Sequence, residues 1–264
     1  GIAMAVHRRG PPRRAGRPVP TPGVGGGLVE GAAAGVDRGT WHLMVGLPLF
    51  ARLALGLRGP RRPVPGLDLA GTVAAVGPGA DGFAVGDEVL GIGKGSFAEY
   101  TVAPVAKLVH RPPSLPVEAA AAVPVSGLTA LQAVRKAALA SGDRLLVLGA
   151  SGGVGSYAVQ VAAAEGIRVT GVAGPAKLDF VRALGADEVV DHTTEDPCAE
   201  VGRYDAIIDL GGNRPLRTLR RALTAKGRLI VAGGEDGGRW LGGIDRQLRA
   251  GLLSPFVPQT LGGF

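Results

Sequence analysis

The eleven residues from Leu145 to Gly155, LLVLGASGGVG, constrain this chain more than any other stretch. The run Leu145–Leu148 is apolar without polar alternation, which fits a parallel strand covered on both faces. The glycines after it make a tight turn that opens a helix from about Gly153. That order forms an anion site, because the helix's first N–H groups and its dipole point out of the turn. Gly152 and Gly155 hold the second and third glycine positions of a dinucleotide fingerprint, with Ala150 in place of the first and Gly149 one step earlier. Gly152 lets the backbone approach a pyrophosphate, and Gly155 lets helix and strand pack closely. Ser151, Gly153 and Val154 complete the turn, and the helix SYAVQVAAAEG ends at Gly166.

A glycine pattern alone is weak, so its setting carries the weight. Downstream come a strand at 168–173, a helix at 175–184 closed by Gly185, and a short strand at 188–190. A strand at 205–210, a helix at 215–223 and a strand at 228–232 follow. This alternation is that of a doubly wound parallel sheet. Three strands end in small residues, at Ala173-Gly174, Gly211-Gly212 and Gly233-Gly234, on the side of such a sheet where ligands bind. A second motif overlaps the first. Gly149-Ala150-Ser151-Gly152-Gly153 also matches the GxSxG nucleophile elbow of hydrolases, which likewise lies between strand and helix. Those enzymes need an acid and then a histidine further along, and His192 is the only histidine after Ser151. It comes too early to follow the later strands, so Ser151 reads as a turn residue able to touch phosphate.

The length of 264 residues and the 46% hydrophobic content suit one large or two ordinary domains with an ample core. No apolar stretch reaches membrane-span length without a charge, a proline or several glycines, and the front lacks the apolar segment of a secretory signal. The expectation is therefore a cytoplasmic protein with no membrane partner. The single cysteine, Cys198, excludes an internal disulfide and a multi-cysteine zinc site. The net charge of +7 is unevenly spread: residues 1–62 hold ten Arg against two acids, +8, which leaves −1 for the rest. The basic segment HRRGPPRRAGRPVP has no nearby aromatic residues to stack bases, which argues against a nucleic-acid partner. A mitochondrial presequence is disfavoured too, because the segment lacks serine and is rich in proline.

Residues 64–111 are punctuated by glycine and strand-like, as in a small, strongly bent barrel. Two helical runs then lead to the nucleotide strand, with a domain boundary near Pro112-Pro113. From about residue 24 onward the chain resembles the medium-chain dehydrogenase/reductase superfamily, in its zinc-independent quinone oxidoreductase and enoyl reductase branch. The motifs that carry the resemblance include AAGVDRGTWHLMVGLP at 33–48, PGLDLAGTVAAVG at 65–77, GDEVLG at 86–91 and GSFAEYTV at 95–102. The later ones are AAVPVSGLTALQAV at 121–134, GASGGVGSYAVQVA at 149–162, LGADEVVDH at 184–192 and YDAIIDLGG at 204–212. The resemblance implies an α/β chain. Residues 1–113 would form a GroES-like β-barrel catalytic domain, irregular over 1–27, and residues 114–264 a Rossmann NADP-binding domain, with the active site in the cleft between.

Where the family's zinc enzymes carry Gly-His-Glu, this chain has Gly66-Leu67-Asp68, so a ligand is missing; His7, His42, His110 and His192 show no ligand spacing. No zinc is expected. Without a Lewis acid, the implied reaction is hydride delivery to a quinone or an α,β-unsaturated carbonyl. The second Rossmann strand runs into Val172-Ala173-Gly174-Pro175-Ala176-Lys177, with no acid to hold ribose hydroxyls or repel a 2′-phosphate. Lys177 matches the family lysine that binds that phosphate, and His192 the position that borders it, so NADPH is favoured over NADH. Thr129 matches the threonine facing the nicotinamide, while Gly211, Gly212, Gly233 and Gly234 would line the crevice. The segment from Asp37 to His42 matches the stretch facing substrate, with Asp37, Thr40 and His42 as catalytic candidates and Trp41 as a pocket wall.

Two regions depart from the family pattern. RRGPPRRAGRPVPTPGVGGG stands where a regular first strand pair belongs. SPFVPQTLGGF comes several tens of residues before that pattern would finish, so the last Rossmann helix and the returning strands are expected to be missing. The resemblance thus supports an NADPH-dependent reductase, and a homodimer is the family expectation because dimers are common among relatives. The alternative is a truncated nucleotide-binding relative without turnover that acts as a binding or interaction protein.

Overall fold

The computed structural model describes residues 2–5, 13–46, 49, 64–234 and 240–263; His7 and part of the basic front segment lie outside them. The chain forms two compact units, Gly1–Ser126 and Gly127–Phe264. The first compact unit thus runs on past Pro112-Pro113. The reason is apolar: Leu115, Val117, Ala120, Ala121 and Val123 pack with Ala70 and Leu90, which draws this stretch into the first unit.

The first unit opens with an antiparallel pair, β1 (Ile2–Ala5) and β2 (Arg13–Gly16). The expectation that residues 1–27 are irregular is corrected to that extent. β3 (Gly26–Ala34) is followed by helix α1 (Arg38–Val45) and then β4 (Asp68–Val76), β5 (Glu88–Ile92), β6 (Tyr100–Pro104) and β7 (Leu108–His110). These five strands pair antiparallel in the order β6-β3-β4-β5-β7. The sheet is open, with β6 and β7 at its edges, so the expected barrel is not closed among the described residues. Irregular register between β3 and β4 near Leu28 and near Gly31 bends the pair. Val29, Leu69, Val73, Val89, Ala103 and Leu108 form its core. Short helix α2 (Val117–Ala120) and the start of α3 (Pro124–Ala137) finish the unit.

The second unit is a parallel sheet of six strands. In chain order they are β8 (Arg144–Leu148), β9 (Arg168–Ala173), β10 (Glu188–Asp191), β11 (Tyr204–Asp209), β12 (Leu223–Val231) and β13 (Thr260–Gly263). They lie side by side as β10-β9-β8-β11-β12-β13. The chain thus builds outward from β8 in one direction and then restarts beside it with β11. Helices α4 (Gly153–Ala164), α5 (Leu178–Ala183), α6 (Leu216–Ala222) and α7 (Ile244–Leu253) cover the faces. Helix α7 leads into β13, which pairs parallel with β12.

The two-face burial read from Leu145–Leu148 is found residue by residue. Leu145 and Val147 pack with Ala130, Val134, Ala158 and Ala162 on one face. Leu146 and Leu148 pack with Ile207, Leu219, Leu229 and Ala250 on the other. All four are at most 4% exposed, and alternation along the strand sends successive side chains to opposite faces.

Candidate functional site

The phosphate turn lies at the carboxyl end of β8. Gly149 takes a left-handed φ of +83°, a conformation that a side chain would strain. Its carbonyl receives the Gly152 N–H at 3.1 Å, and the Ala150 N–H reaches the Val172 carbonyl at 3.0 Å, which ties the turn to the end of β9. A Cβ on Gly155 would stand 2.1 Å from the Gly149 oxygen, so α4 approaches its strand only because that position is glycine. Gly152 differs. The nearest atom to a Cβ there is the Gly149 oxygen at 3.3 Å, and both Gly152 and Gly153 are exposed. Little in the packing demands glycine at 152, which leaves the backbone open to a ligand, as a pyrophosphate cradle requires.

Beside this turn is a crevice of about 500 Å³. It is bounded by the ends of β8, β9, β10 and β11, and its walls include Ser151, Gly174, His192, Gly211, Asn213 and Arg214. The hypothetical Cβ of Gly174 would lie 3.6 Å from His192 Nε2, so the imidazole stands within van der Waals reach of this position. Lys177, in the turn after β9, is exposed, with its Nζ 6.0 Å from the Phe180 ring centroid. It forms no ion pair among the described residues. β9 ends at Ala173 and Gly174, with no carboxylate at the crevice wall. A negatively charged dinucleotide therefore fits the donors and the space present here.

Structure and sequence reasoning part at the glycines. Gly211 lines the crevice, whereas Gly212, Gly233 and Gly234 lie at close backbone approaches. A Cβ on Gly233 would meet the Leu210 oxygen at 1.9 Å, one on Gly212 the Gly233 carbonyl carbon at 2.8 Å, and one on Gly234 the Gly242 oxygen at 2.4 Å. Sequence reasoning missed Asn213 and Arg214. The signal was present, since polar residues directly after a glycine pair at a strand's carboxyl end fall where ligands bind. Arg214 is held by Asp196 at 2.5 Å. Ser151 makes no hydrogen bond to His192 among the described residues, so the structure offers the hydrolase motif no partner. Cys198 is buried, and burial pushes its thiol up to about 11, which makes it unreactive.

The candidate catalytic segment forms the start of α1. Asp37 caps this helix, one carboxylate oxygen accepting the Thr40 N–H at 2.8 Å and the other its hydroxyl at 2.9 Å. Thr40 is fully buried. This pair is thus engaged in holding the helix start rather than displayed. Trp41 is 40% exposed, with the Arg38 guanidinium carbon 4.8 Å from its ring centroid, and half-buried His42 meets its edge at 5.0 Å. A separate cavity of about 450 Å³ in the first unit, between the segments around Val19 and Tyr100, is lined by none of these four residues. Thr129 is half-buried on α3.

Asp68, beside Leu67, is 1% exposed. Burial raises its pKa to about 6; the Val125 N–H, donating to Oδ1 at 2.8 Å, lowers it, and the nearby Asp37 charge raises it further. His110 stacks on Phe83 at 4.8 Å and lies 3.9 Å from Asp87, a packing role. Among the described residues no group of three or more His, Cys, Asp or Glu side chains could hold a metal ion. No helix among them is long and apolar enough to cross a membrane.

Comparison with known proteins agrees with this geometry. Residues 24–113 match the family model described as alcohol dehydrogenase GroES-like domain, and residues 153–241 that described as zinc-binding dehydrogenase. The chain is 35% identical over 227 residues to the chloroplast envelope quinone oxidoreductase homolog of Arabidopsis thaliana, covering 81% of this chain and 68% of that one. The chain belongs to the medium-chain dehydrogenase/reductase superfamily, in its quinone oxidoreductase and enoyl reductase branch. Within that branch it is also 34% identical to quinone-oxidoreductase QR1, chloroplastic, of Triphysaria versicolor, with 81% and 68% of the two chains covered. Among solved structures, the quinone oxidoreductase from Coxiella burnetii superposes with a TM-score of 0.80 at 25% identity, over 100% of this chain and 82% of the other. A mycobacterial protein solved in complex with NADPH superposes with a TM-score of 0.76 at 27% identity, over 88% and 74%. Membership of the superfamily implies an oxidoreductase with small-molecule substrates and a nicotinamide dinucleotide.

Proposed function

We propose that this chain is an NADPH-dependent, zinc-independent oxidoreductase that delivers hydride to a quinone or an α,β-unsaturated carbonyl. The observation that carries the reading is the crevice wall at the end of β9. Its small residues, the imidazole of His192 over Gly174 and the exposed Lys177 suit a 2′-phosphate, and no carboxylate opposes one. When bound, the dinucleotide supplies the hydride. The turn from Ala150 to Gly155 holds the pyrophosphate with backbone N–H groups at the start of α4. Thr129 and Gly211 border the remainder of the dinucleotide. His42 is the residue of the α1 segment assigned to pass a proton to the reduced acceptor, because an imidazole can give up a proton near neutral pH.

The zinc-independent part of the reading rests on chemistry. Leu67 has no lone pair to offer where the family's zinc enzymes have histidine. The NADPH complex of the mycobacterial neighbour and the quinone oxidoreductase names of the relatives support the same reading. We further propose a cytoplasmic location, in contrast to the chloroplast named for two relatives, and a homodimer; fluorescence imaging and analytical ultracentrifugation read these out. NADPH oxidation followed by absorbance, with a quinone and an enone as acceptors, tests the activity alongside a fluorescence titration of bound NADPH. Turnover on either acceptor is expected. Binding without turnover would assign the chain to the nucleotide-binding, non-catalytic alternative, and absence of binding would overturn both.

A further inference from the structure

Beneath the crevice lies a buried ion pair that the dinucleotide reading does not use. Asp209, the last residue of β11, is fully buried. Its Oδ1 accepts the Gly212 N–H at 2.9 Å and its Oδ2 accepts Arg246 Nη2 at 2.8 Å. Its carbonyl oxygen accepts the N–H groups of Ala232 at 3.0 Å and Gly233 at 2.9 Å. Arg246 comes from the first turn of α7, and the same Nη2 also donates to the carbonyl oxygen of Arg214. Arg214 in turn pairs with Asp196 in the turn after β10. Asp209 thereby joins the loop after β11 and the start of α7 through its carboxylate and the end of β12 through its backbone carbonyl, and Arg246 links it to Arg214 and so to the segment after β10.

This centre lies directly under the crevice floor. A Cβ on Gly211 would stand 4.0 Å from Asp209 Oδ1, and one on Gly149 would stand 3.5 Å from the Gly211 nitrogen. The placement matters for an anionic ligand. An uncompensated carboxylate there repels phosphates through a poorly screening interior. Stability alone does not call for the pair, since well-packed apolar residues commonly replace buried ion pairs without loss. An apolar pair, however, would leave the Gly212 N–H and the Arg214 carbonyl without these partners and would not hold the loop in place. The charged groups near Asp209 are Arg246, Arg214 and Asp196; Cys198, close by, stays a neutral thiol.

We propose that Arg246 is the positioning residue of the crevice: by neutralising Asp209 it lets that side chain hold the Gly211–Arg214 loop through the Gly212 N–H without its charge opposing an anionic dinucleotide. The inference rests on the NADPH reading above. The test is fluorescence titration with NADPH of the full chain and its variants, with thermal melts as the measure of folding. Arg246→Met is expected to weaken binding on the order of thirtyfold, because it leaves the carboxylate unopposed. The double variant Asp209→Asn with Arg246→Met, which removes both charges, is expected to recover to within about threefold of the parent. Arg249→Ala, on the exposed face of the same helix, reports any non-specific loss. A merely structural role would leave the double variant at least as weak as the single one. That result, or an unchanged affinity in Arg246→Met, would overturn the proposal. If Arg246→Met does not fold, the double variant decides by itself: binding close to that of the parent upholds the role, and loss of binding in a folded double variant overturns it. Failure of the parent to bind NADPH would instead sink the cofactor reading, and the inference with it.

Discussion

The two units use their polar residues in opposite ways. In the second, the backbone and side chains at the strand ends face an open crevice, and Ser151, His192 and Asn213 meet there from separate elements. In the first, Asp37 and Thr40 turn onto each other, and Asp68 turns onto the Val125 N–H. A polar residue at a loop thus reads as function only when its hydrogen-bonding capacity is left over after the backbone has been satisfied. By that measure the crevice of the second unit is open to a ligand, whereas Asp37 and Thr40 in the first are occupied in holding the start of α1.

The sharpest way to break this contrast is Gly155→Val. The added side chain collides with the Gly149 backbone, so a loss of about 3 kcal/mol or more in denaturant unfolding is expected, together with loss of NADPH binding. A folded, binding variant would show that close helix–strand approach is not what shapes the turn. The second prediction concerns the first unit's buried acid. Asp68 has its pKa raised to about 6 from 3.8, so the folded state holds this proton more tightly than the unfolded one. The stabilisation is full below the unfolded value and is lost as pH rises through about 6. Urea unfolding between pH 3.5 and 7 should show on the order of 2 kcal/mol of this dependence, and Asp68→Asn should flatten it. An unchanged profile in the variant would place the titration elsewhere.

Two smaller effects sharpen the comparison. Lys177→Ala should weaken NADPH about tenfold while leaving NADH nearly unaffected; equal losses in paired titrations would refute the phosphate role. Asp37→Ala removes the α1 cap and should cost about 1 kcal/mol in unfolding experiments. A collapse of turnover at unchanged stability would mean that Asp37 acts on substrate after all.

Most of the second unit was legible in the sequence. The strand at 168–173 and the helix from Gly153 were read to the residue, because apolar runs and glycine stops are local signals. The segment after β12 was not. Its glycines and a helix with exposed Leu248 and Leu252 look unlike a regular Rossmann ending, yet α7 and β13 complete the sheet. In the first unit the strands were legible as a class, but not the pairing order β6-β3-β4-β5-β7, since antiparallel strands separated by long connections carry no local mark of their neighbours. The site was half legible. Ser151, His192 and Gly211, named from residue type and motif, line the crevice, whereas Gly212, Gly233 and Gly234 lie at close backbone approaches; a glycine needed for packing and one needed for a ligand look the same in a sequence.

By itself, the sequence determined the strand, turn and helix around LLVLGASGGVG, the absence of an acid after β9 and the leucine in place of a metal ligand. Each depends on residue type and short spacing alone. Only the tertiary structure decided which groups meet: Arg246 beneath the crevice with Asp209, Arg214 with Asp196, and Asp68 with the start of α3. Those contacts join residues far apart in the chain, and a buried charge finds its partner only once the sheet and its helices have packed around it.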